Sequence, residues 1–85
     1  MEKLIIINGD PQVVDSCETF LKKQFDNYAK VRRGCWLVKS TEDIEKITNI
    51  FSQEAKTSKI LVFDVSNSAW ASYNLDLNII GWLKQ

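Results

Sequence analysis

The chain has 85 residues, with 11 Lys plus Arg balanced by 11 Asp plus Glu and no histidine. A chain this short makes a single domain, residues 1–85, burying roughly 60 to 65% of its unfolded surface; that leaves a modest core to which a partner surface would add. Balanced charge excludes a global positive field for nonspecific binding to nucleic acid, and the lack of histidine excludes Ser-His and Cys-His nucleophile pairs, imidazole zinc sites and a pH switch near neutrality.

The first element is a strand. Residues 3–8, KLIIIN, are β-branched and apolar, and Asn8-Gly9-Asp10 with Pro11 punctuates their end. Only four consecutive residues of that run are apolar, too few for a signal peptide or a membrane span, so a cytoplasmic protein without membrane contact is expected. Asp10 before Pro11 pairs a helix N-cap with proline at the first helical position. Val13, Val14, Cys17, Phe20, Leu21, Phe25 and Tyr28 then recur at helical spacing, which predicts a helix over 11–27. Cys17 and Cys35 are too few and too far apart for a disulfide scaffold or a metal knuckle, and they read as reduced packing residues.

Residues 29–40 have strand character, with Gly34 marking either a tight turn or a bulge between two short extended pieces. Ser40 or Thr41 is the expected cap of a second helix. Glu42, Asp43 and Glu45 crowd its positive end, Ile44, Ile47, Phe51 and Ala55 form one stripe, and it ends near Lys56. KILVFDV, residues 59–65, is a third strand. After it, SNSAWASYN reads as a loop or a short helical turn, and the tail LDLNIIGWLKQ is apolar without a clear period.

This order, β-α-β(β)-α-β plus an apolar tail, implies an α/β (α+β) fold. If both crossovers are right-handed, both helices lie on one side of the sheet, giving a ferredoxin-like two-layer sandwich. Yet Leu4 and Ile6 alternate with Ile5 and Ile7, Trp36 and Val38 with Cys35 and Leu37, and Ile60 and Val62 with Leu61 and Phe63. Both faces of the sheet are therefore apolar, whereas a half-solvated sheet alternates with polar residues. An exposed apolar patch of several hundred Å² or so usually marks a contact surface. The tail residues Leu75, Leu77, Ile79, Ile80, Trp82 and Leu83 supply part of the cover, and a second copy in a two-fold homodimer, clasped by the tail, is expected to supply the rest.

LIIINGD at the start, CWLVKST after the first helix, ILVFDVSNSAW after the second and GWLKQ at the end carry a resemblance. Together they resemble the small CRISPR-associated endoribonuclease-like proteins, often labelled SinR-like, a dimeric ferredoxin-fold family. In that family an aspartate at the end of the first strand faces its twin across the dimer axis, and the pair binds a divalent metal. Asp10 stands at the matching position, so the resemblance implies Asp10 as catalytic and metal-binding residue with magnesium as cofactor. Where an aromatic usually precedes that aspartate, this chain has Gly9.

Each candidate site also has a plainer reading. For Asp10 it is the N-cap, which typically contributes about 1 kcal/mol; one carboxylate from each of two subunits is needed before a magnesium site becomes plausible. Asp64, on the side of Ile60 and Val62, is either a second acidic ligand or interface acceptor, or, as the commoner case, an end-of-strand residue reaching solvent. Lys22, Lys23, Lys30, Arg32 and Arg33 form the basic cluster. With Tyr28 and Trp36 nearby it is where nucleic acid would bind, although such runs are more often a solvated face. Ile60, Val62, Trp70 and Trp82 are the candidate interface residues, with burial against the sheet or a partner expected for both tryptophans. Ser16, Ser66 and Ser68 have no base and receive no chemistry. Two functions follow. The first is a dimeric, non-catalytic module of a defence or mobile-element system that binds protein or nucleic acid; the second is a magnesium-dependent nuclease.

Overall fold

The computed structural model describes residues 1–72 and 76–84. In chain order it contains β1 (Glu2–Asn8), α1 (Pro11–Gln24), β2 (Tyr28–Arg32), β3 (Cys35–Lys39), α2 (Ile44–Ala55), β4 (Lys59–Asp64) and α3 (Leu77–Leu83). The four strands form one antiparallel sheet in the order β2-β3-β1-β4. The first crossover, through α1, passes from β1 beyond β3 to β2; the second, through α2, passes from β3 beyond β1 to β4.

Period two in β1 divides the molecule. Ile5 and Ile7 point to one face and are buried with Trp36 and Val38 against Val14, Cys17 and Leu21 of α1 and Ile47, Phe51 and Ala55 of α2. Both long helices therefore cover the same face, as the sequence implies. Phe20 meets Phe51 edge-on at 5.2 Å between ring centroids, and Phe25 stacks on Phe51 at 6.4 Å, locking the two helices together. The indole N–H of Trp36 finds no acceptor in this core.

Several boundaries differ from expectation. The α1 helix stops at Gln24, because Phe25 is already extended and turns its ring onto Phe51; Tyr28, counted above on the helical stripe, opens β2 instead. Residues 29–40 are two strands. Gly34 makes the tight turn between them with φ of 83°, and a register slip lies between Lys30 and Arg32. The cap of α2 is Asp43 rather than Ser40 or Thr41: its Oδ1 accepts the Lys46 N–H at 2.8 Å, and the buried stripe narrows to Ile47, Phe51 and Ala55. Ile44, expected on that stripe, is exposed at the first helical position. The tail folds as α3, and Leu75, assigned to the tail's apolar set, lies outside the described residues.

α3 covers part of the second face. Ile79 and Trp82 are buried with Leu37, and Leu4, Ala29, Val31, Val65 and Leu83 pack around them. No helix among the described residues is long and apolar enough to cross a membrane.

Gly34 is the tightest point of this arrangement. The Ile7 N–H donates to the Gly34 carbonyl at 2.8 Å, and a Cβ at Gly34 would lie 2.6 Å from the Ile7 carbonyl oxygen. Gly34→Ala must therefore adopt a positive φ and also displace the end of β1. The expected cost is on the order of 2 kcal/mol in urea unfolding; a loss below about 0.5 kcal/mol would contradict this packing.

Candidate binding face

Asp10 sits in the link between β1 and α1. Its Oδ1 accepts the Gln12 N–H at 2.8 Å, and Pro11 follows at the first helical position, so the capping role read from sequence is the one its side chain performs. The adjacent Gly9 packs its backbone against Ser58, where a Cβ would collide with that side chain. The position the resembled family fills with an aromatic is thus closed here. Among the described residues no group of three or more Cys, Asp or Glu side chains is gathered to hold a metal ion, so a site at Asp10 would need ligands from a second copy.

The basic cluster is spread along an ion-paired seam between α1 and the β2–β3 hairpin. The Arg33 guanidinium donates to both oxygens of Asp15, at 2.9 and 2.5 Å. Glu18 accepts Lys30 at 2.8 Å and Lys22 at 3.4 Å. The Arg33 hydrogen bond holds the Asp15 carboxyl below the usual range. Partial burial pushes Glu18 up, but its two lysines outweigh that and hold it low. Three of the five cations therefore face carboxylates. Lys23 and Arg32 are exposed.

A second polar group ties β1 to the end of β4. Lys3 is buried, unusually for lysine, and its ammonium lies 3.4 Å from Asp64 directly across the strand pair. Ser66 Oγ accepts from the Glu2 N–H at 3.0 Å and from the N-terminal amine of Met1, and the Ser66 N–H donates to Asp64 at 3.0 Å. The hydroxyl and the backbone N–H of Ser66, and then Lys3, hold the Asp64 carboxyl down to about 2. Asp64 thus reaches solvent at a strand end while serving an internal pair. Lys3 escaped the sequence reading, although a lysine opposite an aspartate in antiparallel pairing is a signal that register alone would reveal.

The four interface candidates separate. Ile60 and Val62 turn their side chains to the helix layer and pack, partly buried, against its core. Trp82 is buried in its own chain; its Nε1 donates to Asn27 Oδ1 at 2.6 Å and the Lys39 ammonium stands 4.9 Å from its ring. Trp70 is half exposed beside an open groove of about 720 Å³ on the second face, lined by Leu4, Val31, Leu37, Val65 and Ile79. The residues missed are Leu61 and Phe63, 53% and 45% exposed, which share that face with Leu4 and Ile6. A large apolar pair left in solvent on an ordered strand is the unusual feature of this surface.

The two thiols are poor nucleophiles. Burial raises both, with nearby Glu54 adding to the effect at Cys17, while Arg32 offsets a little of it at Cys35. Compared with protein-family models, curated proteins and solved structures, the chain matches none.

The Asp64 carboxyl is held below its ordinary value of 3.8, so its stabilising effect is full above about pH 4 and is lost as pH falls toward 2. Asp64→Asn should flatten the stability curve over that window and, by leaving Lys3 buried without its partner, lower stability at neutral pH. Urea titrations from pH 2 to pH 7 (a range of roughly this width suffices) test this; parallel acid limbs for the two proteins would refute it.

Proposed function

We propose that this chain is a ferredoxin-like module that works as a homodimer and binds a protein or nucleic-acid partner without catalysing a reaction. The strand order, with two crossovers that each skip a strand and two helices on one face, supports the ferredoxin-like reading. The observation that carries the proposal is the exposed apolar pair Leu61 and Phe63 on a sheet face that α3 only partly covers. Fold alone does not supply an activity, and that surface is what sets this sheet apart. A defence or mobile-element setting follows from the resemblance alone.

The chemistry-bearing groups favour binding over turnover. Asp15, Glu18 and Asp64 are committed to cations, Asp10 to helix amides, and both thiols are held protonated. In the competing reading, a magnesium-dependent nuclease, Asp10 of each copy would hold the ion while water attacks a phosphodiester. Its support is that Asp10 is exposed at the end of the central strand.

A cleavage assay separates the two readings, and light scattering tests the homodimer that both require. The binding module predicts a dimer in solution and no chelator-sensitive cleavage of labelled RNA or DNA with magnesium. Cleavage that disappears in Asp10→Asn, with folding unchanged, would establish the nuclease instead.

A further inference from the structure

β4 is an edge strand. Among the described residues it pairs with β1 alone, so one row of its N–H and C=O groups faces outward. Exposed edges are usually blunted by proline, an inward charge or a bulge. β4 has none of these between Lys59 and Asp64; its interior is Ile60, Leu61, Val62 and Phe63, in unbroken register with β1.

The phase of the outward row can be read from one bond. The Val65 N–H donates to the Glu2 carbonyl at 3.0 Å, toward β1. Backbone direction alternates along a strand, so residues 61 and 63 also bond inward, and Ile60, Val62 and Asp64 present their N–H and C=O to the open edge. Two such edges can join antiparallel only if outward residues oppose outward residues. The register that uses all three sets Val62 against the partner's Val62 and Ile60 against the partner's Asp64. Slipping by two residues in either direction leaves one outward residue of each strand opposite a position beyond the partner's strand.

We infer that two copies of this chain join edge to edge through β4, antiparallel about Val62, making one continuous eight-stranded sheet. This rests on the homodimer reading and specifies its geometry. Three opposed pairs exchange about six backbone hydrogen bonds. On the sheet's second face the same register places Leu61 against the partner's Phe63, and Phe63 against the partner's Leu61, in the closely spaced non-hydrogen-bonded pairs. The exposed side chains of each copy thereby pack laterally against the other's across the joint. This self-complementarity selects a second copy over an unrelated strand. No like charges oppose one another, since Lys59 faces the partner's Val65 and Asp64 the partner's Ile60.

The geometry also bears on Asp10. Asn8 pairs with Lys59, so Asp10 lies beyond the Lys59 end of the strand pair. At about 3.3 Å per residue that end is about 10 Å from the Val62 axis, and the partner's equivalent lies on the opposite side. The two Asp10 carboxylates are then at least about 20 Å apart, too far to share one metal ion, which coordinates oxygens at about 2 Å. An edge-paired dimer and a shared-metal nuclease therefore exclude each other.

Val62→Pro removes an outward N–H, which an isolated edge strand tolerates, and trims a partly buried side chain that packs on the helix layer. The expected result is a dimeric wild type and a monomeric, still cooperatively folded Val62→Pro. In parallel, Leu61→Cys and Phe63→Cys are made separately in a Cys17→Ala, Cys35→Ala background and oxidised alone and mixed. The mixture should cross-link several-fold more than either alone, because those positions stand about 4.5 Å apart across the axis. If Val62→Pro fails to fold, the cross-linking result decides. A wild type that is dimeric, with Val62→Pro still dimeric or no excess cross-link in the mixture, overturns edge pairing and leaves the homodimer reading intact. A monomeric wild type overturns both, and edge capture of a foreign strand would then be the remaining use of β4.

Discussion

The pleat of β1 is the constraint on which everything else depends. Ile5 and Ile7 on one side and Leu4 and Ile6 on the other make the central strand apolar on both faces, so the chain must find two covers. α1 and α2 supply the first over its centre: Ile5, Trp36, Val38, Cys17, Leu21, Ile47 and Phe51 are sealed from solvent. α3 is seven residues long and settles over Leu37 and the β2–β3 half, which leaves the β4 half of the second face to solvent or to a partner.

Polar groups hold this frame in register rather than building a reactive centre. The Lys3–Asp64 pair and the Ser66 contacts close the sheet at one end, and Gly34 lets the β2–β3 turn sit against the end of β1. The seam of Asp15, Glu18, Lys30 and Arg33 fastens α1 to the hairpin. Exposed pairs of this kind contribute little stability individually, but they orient elements and neutralise the only stretch of sequence with a basic excess.

Much of this was legible in the sequence because it is periodic. β1, α1, the α2 stripe and β4 follow from spacing, and Asp10 before Pro11 announced its cap. What escaped were choices that local pattern leaves equal. Nothing in ILVF says which of its two apolar sets meets the helices; that was decided by the β1 pairing, which sent Ile60 and Val62 inward and left Leu61 and Phe63 out. Phe25 fits a helical stripe but is used one step past the helix end to stack on Phe51, a tertiary contact that no window of sequence contains. The α3 segment was obscured because Leu77 fits the apolar pattern yet points to solvent, and only Ile79 and Trp82 are buried.

The central claim is that a second copy completes the sheet at β4, and amide hydrogen exchange at residue resolution tests it most directly. Across a dilution series through the association range, the N–H groups of Ile60, Val62 and Asp64 should lose protection on dilution. Those of Leu61, Phe63 and Val65, bonded to β1, should stay protected throughout. Uniform behaviour of the two sets at every concentration would contradict the account.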